Sequence, residues 1–395
     1  MHRYPARPQL PDTHKKMTTP DRITVHLQDI SAHADIAEMW GELEARCEVS
    51  FFQSWGWIGA WLQSLPASTP LYSIVAKTND ELAGLAILAR SKVIRHKLFS
   101  SDALFLNEAG IPGYDFVIEH NGLLLKSGIE QPTLDACLRY LITQVGDWDE
   151  IFISGIRQDS PLFHSSVLKE HDVDLRVLRT SSSRYVDMEE LRQSGGDYLD
   201  SLSSNTRYQI RRALRKHVAT GPLTLSIAAS AEEAHVYFDR MKELHQAYWA
   251  GKGEPGSFAN SHWEAFHRRL VSERFDSGEI QLIGVTTGDK TIGYLYNFIK
   301  NGWVYVLQSG FHYEPNHTLH PGYVSHYLAI DYNLKHGAKI YDFLAGDAQY
   351  KSSLGRNDHT LAWVVLQRKR WKFKVEDALR RLVHALKSRR KTTVT

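Results

Sequence analysis

The 395-residue chain reads as an α/β protein made of two tandem units, each a mixed central sheet flanked by helices. Three observations carry this reading. The stretches LYSIVAKTNDELAGLAILARS and IQLIGVTTGDKTIGYLYNFIK share a strand–turn–strand pattern at an offset of 209, matching Asp80 to Asp289, Gly84 to Gly293 and Ile74 to Ile283. Each of these hairpins follows an aromatic helix, with Phe52, Trp55, Trp57 and Trp61 in one unit and Phe258, Trp263 and Phe266 in the other. Each is then followed by a strand, a Gly/Pro loop, a helix and another strand, the order of a βαβ unit. A ligand cleft is expected between the two halves.

In chain order, residues 1–22 hold charge and proline without an apolar core, so they are expected to be disordered rather than a secretory signal. Met17 is an alternative start, because patterned sequence begins only at Ile23. The first unit spans 23–180. A strand at 23–26 and a helix at 31–47 precede the aromatic segment SFFQSWGWIGAWLQSL, which reads as a helix buried against a sheet or as an aromatic pocket wall. A hairpin (71–77 and 82–91), a strand at 98–106, the loop NEAGIPGYD, a helix near 132–145 and a strand at 150–156 complete it. The second unit spans 181–366, with helices at 197–202, 204–220, 231–249 and 262–275 and strands at 223–228, 280–286 and 291–300. Its last part, 302–355, contains a strand (303–308), a loop, a helix (323–336) and a strand (339–344) that runs into GDAQYKSSLG.

Charge is uneven. Residues 368–391 carry 11 of the 47 Lys/Arg and 2 of the 45 Asp/Glu, which leaves 36 basic against 43 acidic residues elsewhere. A mildly acidic body therefore ends in a basic amphipathic tail, 367–395, with Val375, Ala378, Leu379, Leu382 and Leu386 at helical spacing. Such a tail suits an anionic membrane surface, nucleic-acid phosphates, or plain docking on the body. Two distant cysteines, Cys47 and Cys137, exclude a disulfide framework and a paired-Cys metal site, and no apolar run approaches the length of a membrane span.

Chemistry-bearing residues concentrate in 302–355. Gly310 and Gly322 bracket a loop that opens a helix, a geometry suited to phosphates, or else an ordinary βα loop. His320 sits beside Pro321 and Gly322, with Tyr323 next. After the second strand, Gly346–Lys351 places an acid, a phenol and an amine within a few residues, where α/β sheets gather ligands. Tyr350 suits a proton donor to a leaving thiolate or alkoxide, Lys351 an oxyanion or phosphate partner, and Asp347 a base or a helix N-cap. Asp342 inside the strand reads as structural or substrate-binding. Arg207, Arg211 and Arg215 share one helix face, widened by Arg212 and Lys216, which suits an anionic substrate or a solvated surface. The histidines His312, His317, His320 and His326 make no metal pattern, and no metal is expected.

Four segments resemble a known family: FFQSWGWIGAW, SSNTRYQIRRALRKH followed by Gly221, HPGYVSHYLAID and DFLAGDAQYKSSLG. The chain resembles the GNAT-type acyltransferases related to cellulose-biosynthesis CelD proteins, themselves similar to FemAB-like tandem GNAT proteins. The likeness covers about residues 23–365. It implies two GNAT-like domains and an acyl-CoA donor, such as acetyl-CoA, held at Gly310, His320, Gly322 and Tyr323. Where the family carries an R/Q-x-x-G-x-G/A phosphate loop, this chain has TLHPGY. Tyr350 falls at the family's general-acid tyrosine, and Lys351 where FemAB-like members place a lysine near the reacting carbonyl. Arg207, Arg211, Arg215, Asp342 and Gly346 are the expected substrate-binding residues.

The function expected is that of a cytoplasmic N- or O-acyltransferase, placed at the inner face of a membrane by its tail. It would act on a saccharide or lipid-linked precursor of cell-surface polysaccharide. FemAB-like transfer from aminoacyl-tRNA, with the arginine stripe and tail gripping the tRNA, is one alternative. A non-catalytic scaffold in polysaccharide assembly is the other, and the missing phosphate loop favours it.

Overall fold

In the computed structural model the two hairpins belong to one continuous sheet. The structure describes residues 22–376 other than 33–34, 96–98 and 115, together with 378 and 381. All but the last residue of the leader expected at 1–22, and most of the basic tail, lie outside them.

The chain runs β1 (Ile23–Asp29), α1 (Ile36–Glu44), α2 (Trp55–Ser64), β2 (Leu71–Thr78), β3 (Glu81–Arg95), β4 (Phe99–Leu106), β5 (Leu124–Leu125), α3 (Glu130–Thr143) and β6 (Glu150–Arg157). It continues through α4 (Val167–Glu170), β7 (Val173–Asp187), α5 (Met188–Ser194), α6 (Tyr198–Ser201), α7 (Ser204–Val218), β8 (Leu223–Ile227), α8 (Ala231–Ala250) and α9 (Ser261–Arg274). It ends with β9 (Ile280–Thr287), β10 (Lys290–Lys300), β11 (Trp303–Phe311), α10 (Pro321–Lys335), β12 (Ile340–Ala345), α11 (Gln349–Leu354) and β13 (Asn357–Arg368).

Strand order is β1-β2-β3-β4-β6-β13-β7-β12-β11-β10-β9-β8, with β5 beside β3. Read from either end, the pattern is the same. Four antiparallel strands lead to a parallel pair, β4 with β6 or β11 with β12, bridged by α3 or α10. An antiparallel strand follows, β13 or β7, and these two pair with each other at the centre. The duplication read from the hairpins is thus present in the whole topology, and the 209 offset carries β2 onto β9 end to end.

The expected break between residues 180 and 181 falls inside β7, which pairs with β12 of the second half. The chain's last strand, β13, pairs with β6 of the first half. Each half is therefore completed by a strand from the far side of the division. Neither strand was expected from the sequence.

Among the described residues three apolar cores result. One lies against the first half and contains Leu134, Trp148 and Leu366; another lies beneath α7 and α10 and contains Ile210, Val324 and Tyr341. The third is shared between the halves. There Phe51 stacks on Phe298 at 4.2 Å, Trp57 meets Phe266 edge-on at 4.8 Å, and Phe116 stacks on Phe266 at 4.3 Å. Phe51, Phe52 and Trp57 are buried, so the aromatic segment is core and not a pocket wall. Among the described residues no helix is long and apolar enough to cross a membrane.

Gly310, expected at a cofactor, lies within β11 beneath α8. A Cβ there would stand 2.2 Å from the Met241 carbonyl oxygen, so strand and helix approach more closely than any side chain permits. Gly310→Ala is expected to push α8 off the sheet and cost about 1–3 kcal/mol, read as a lowered urea midpoint.

Candidate active site

The parallel pair β11–β12 stays in register only at Trp303–Ile340, Val304–Tyr341 and Tyr305–Asp342. Beyond Tyr305 the strands part. Among the described residues no strand covers that edge of β11 as far as Phe311. The result is a wedge whose apex lies at Tyr305 and Asp342. Helix α10 begins beside it, with His320 as N-cap at φ 40° and Pro321 in the first turn, where its missing N–H costs nothing. Gly322 sits beneath the Phe311 ring, and Tyr323 stacks on His320 at 5.4 Å.

The arginine stripe divides. Arg207 and Arg211 turn to Asp200, at 2.9 and 3.4 Å, and Arg215 is exposed. The cations that border the start of α10 are instead Arg212 and Lys216. Lys216 donates to Thr318, and His217 Nε2 lies 3.0 Å from the Leu319 carbonyl, which ties α7 to this turn. Burial, with Arg212 and Lys216 nearby, holds His320 below the ordinary histidine range. The three residues expected at the substrate are thus not gathered at the wedge.

Along β12, Tyr341 and Phe343 pack in the core under α10, whereas Leu344 faces the shared core. Tyr350 stacks on His326 at 5.3 Å and meets Phe343 at 6.0 Å. Burial pushes its phenol well above the usual value, so it keeps its proton at neutral pH. Lys351 donates to the carbonyls of Leu344 and Ala345, at 3.1 and 2.6 Å, and burial pushes its ammonium down. It clamps the end of β12, with Gly346 at φ 132° beside it. Asp347 is exposed, and the N-cap of α11 is Ala348, which corrects the cap reading of Asp347.

In the first half the equivalent wedge is filled by the chain itself. Strands β4 and β6 also pair at only three positions, and Phe105 stacks on Phe152 at 4.9 Å. Residues 116–122 pass over Gly155, whose φ is +62° and where a Cβ would lie 2.4 Å from the Ile118 carbonyl oxygen. Asn121 fixes this crossing by donating to the Leu106 carbonyl and accepting from Asn107. The crossing delivers Glu119 and His120 to the apex of the second wedge. Glu119 accepts from the Ala345 N–H at 2.7 Å, and burial pushes its carboxyl up.

Asp342, expected at the substrate, is fully buried at this junction. Its Oδ1 accepts from Ser183 Oγ at 2.6 Å and from the Leu344 N–H at 2.7 Å. Its Oδ2 faces His120 Nε2 at 3.3 Å and His359 Nε2 at 3.4 Å. Tyr305 and Trp303 pack on His120 at 5.4 and 6.0 Å, and Tyr185 packs on His359 at 5.5 Å. Burial pushes His359 down to about 4. A cleft of about 870 Å³ opens here between the halves, lined by Ser50, Gln53, His120, Arg157, Trp303 and Tyr305 among others. His120, His359 and Glu119 are the functional candidates that the sequence reading missed. The polar triplet Glu119-His120-Asn121 directly after apolar residues 116–118 is the one local signal for them.

A duplicated wedge-bearing sheet with one wedge plugged and one open defines a tandem GNAT-fold protein. Residues 204–352 match the family model of the acetyltransferase (GNAT) domain, so the second half carries that domain. No curated protein matches the chain. FemX, 13% identical, aligns over 86% of this chain and 96% of its own with a TM-score of 0.56. The C-terminal domain of an Agrobacterium fabrum protein described as a lysylphosphatidylglycerol synthetase is 9% identical, with 90% and 96% covered and a TM-score of 0.51. A conserved protein of unknown function from Bacteroides thetaiotaomicron is 10% identical, with 87% and 100% covered and a TM-score of 0.50. The chain thus has the FemAB-like tandem GNAT fold.

Proposed function

We propose that the chain transfers an acyl group from acyl-CoA, held in the β11–β12 wedge, to an amine or hydroxyl held in the cleft between the halves. The observation that carries this reading is that Tyr305, at the wedge apex, also lines the cleft between the halves. A donor entering along the uncovered edge of β11 and an acceptor entering from the cleft meet there. The donor's phosphates would lie at the start of α10, where free backbone N–H groups, Arg212 and Lys216 favour anions. The acceptor's lone pair attacks the thioester carbonyl, the C–S bond breaks, the thiolate takes the Tyr350 proton, and the proton shed by the acceptor's amine or hydroxyl restores the phenol by way of solvent in the cleft. Lys351 and Glu119 hold the end of β12 on which this geometry depends.

The acceptor is a saccharide or lipid-linked precursor of cell-surface polysaccharide, as the CelD-like motifs imply, and the setting is cytoplasmic, at the inner face of a membrane. The FemAB-like resemblance implies a second reading, transfer from aminoacyl-tRNA, with the arginine stripe and tail gripping the tRNA.

Thiol release from an acyl-CoA panel tests the first reading. Tyr350→Phe is expected to lower the rate about 100-fold, within the usual reach of one proton donor. Arg212→Glu with Lys216→Glu is expected to raise the half-saturating acyl-CoA concentration at least about 10-fold while leaving the maximal rate near wild type. Absence of any acyl-CoA turnover, together with salt-sensitive tRNA binding that disappears on deleting 368–395, would replace the first reading by the second.

A further inference from the structure

The geometry points to a divalent transition-metal site of the zinc class at His120, Asp342 and His359, with one coordination position open to the cleft. Three lone-pair atoms converge there from three parts of the chain: the plug segment of the first half, β12, and the exchanged strand β13. His120 Nε2 lies 3.3 Å from Asp342 Oδ2, His359 Nε2 lies 3.4 Å from it, and the two Nε2 atoms lie 3.4 Å apart. The triangle is nearly equilateral.

That shape is informative. A cation about 2.0–2.1 Å from each of three ligands, at tetrahedral angles, holds those ligands about 3.3–3.4 Å apart. A face of an octahedron with the same bond lengths would bring them to about 2.9 Å. Hydrogen bonding accounts less well for the arrangement. Asp342 Oδ2 is buried and has no aligned hydrogen-bond donor, although two imidazole nitrogens face it. Ordinary N–H···O bonds sit at about 2.9–3.0 Å, shorter than either approach.

The surroundings fit a metal ligand set. Asp342 Oδ1 is fully engaged by Ser183 Oγ and the Leu344 N–H, so the carboxylate is held with Oδ2 alone presented, as outer-shell partners orient metal ligands. Tyr305, Trp303 and Tyr185 wall the histidines with aromatic rings. The nearby Arg157 guanidinium is occupied by Asp159 at 2.9 Å. His120 lines the cleft, and the His359 side chain is 12% exposed, so a cation has a route in and its fourth position faces the acceptor side. Among the described residues these are the three that meet as possible ligands. A bound cation there would hold water or the acceptor's amine or hydroxyl oxygen at the wedge apex.

The test uses the purified full chain, stripped with a chelator and titrated with Zn²⁺ by equilibrium dialysis and with Co²⁺ by visible absorption. Wild type is expected to take up one equivalent of Zn²⁺ at micromolar concentration, to show the intense bands of four-coordinate cobalt, and to melt at a higher temperature with Zn²⁺ present. His359→Ala and His120→Asn are each expected to weaken binding at least about 100-fold, since even outer-shell changes cost up to that much. Asparagine suits the left-handed backbone at His120, φ 51°, so that variant should fold. Asp342→Asn, which keeps the acceptor for Ser183 and Leu344, is a further control. Sub-stoichiometric binding by wild type, or folded variants that bind as well as wild type, would overturn the assignment in favour of a shared proton. No readout uses an acyl donor, so this result and the acyl-transfer reading stand or fall separately.

Discussion

Asp342→Ala is expected to destabilise the protein by about 2–6 kcal/mol and to abolish transfer, whereas Asp342→Asn abolishes transfer at little cost in stability. The difference follows from the two carboxylate oxygens. Oδ1 satisfies two buried donors, the Ser183 hydroxyl at 2.6 Å and the Leu344 N–H at 2.7 Å. Alanine orphans both, and each unsatisfied buried donor costs about 1–3 kcal/mol. Asparagine retains an oxygen for them and turns an amide toward two imidazoles that can accept from it. What both variants lose is the anionic Oδ2 between His120 and His359. Urea unfolding reads the first quantity and thiol release the second. Wild-type transfer by Asp342→Asn would remove Asp342 from the chemistry and leave it a structural residue.

The same residue shows what was legible in the sequence. Asp342 drew notice because a carboxylate inside an apolar strand needs partners, yet its partners lie 222 positions upstream and 17 downstream. No spacing rule links them. The clustered histidines His312, His317, His320 and His326 attracted the metal question instead, and His326 proves to be a core residue stacked on Tyr350. Local pattern did reveal the hairpins, because β2 and β9 are buried strands bounded by polar turns, and so their repeat was readable. It did not reveal β7 and β13. Strand β7 carries the run Thr180–Arg184, whose serines imitate a turn, and several of its residues face solvent. Strand β13 opens with Asn357, Asp358 and His359, which are poor strand formers on local grounds. Both are held extended by pairing with each other. The two elements that join the halves were thus those with the weakest local signal, and they carry His359 and Ser183 of the candidate site. Tyr350, Lys351 and Gly346 were nominated because they follow a readable strand in one short motif.

Lowering the pH from 7.5 to 5.5 is expected to cost about 3–4 kcal/mol of stability, before most carboxylates begin to titrate. The cause is buried neutral histidine. His267 lies in the core shared by the halves, with Trp263 at 4.0 Å, Phe266 at 5.0 Å and Tyr296 Oη at 3.4 Å from Nδ1. His326 lies on the buried face of α10 among Phe311, Phe343 and Tyr350. Burial pushes both down to about 3. In the unfolded chain each titrates near its ordinary value of about 6.5. Between those values the unfolded state binds a proton that the native state refuses, so stability rises with pH across the window and falls as acid is added. At pH 5.5 each histidine accounts for about 1.4 kcal/mol, and His359, pushed down to about 4, adds in the same direction. Since a domain is commonly stable by about 5–15 kcal/mol, acid unfolding should follow near pH 4–5. His267→Gln cannot take up the proton, and its urea midpoint should depend less steeply on pH even though the variant is weaker at pH 7.5. Equal slopes for wild type and His267→Gln would mean that the shared core admits the charged imidazole. In that case the aromatic contacts between the halves would have to be looser than their 4–5 Å ring separations indicate.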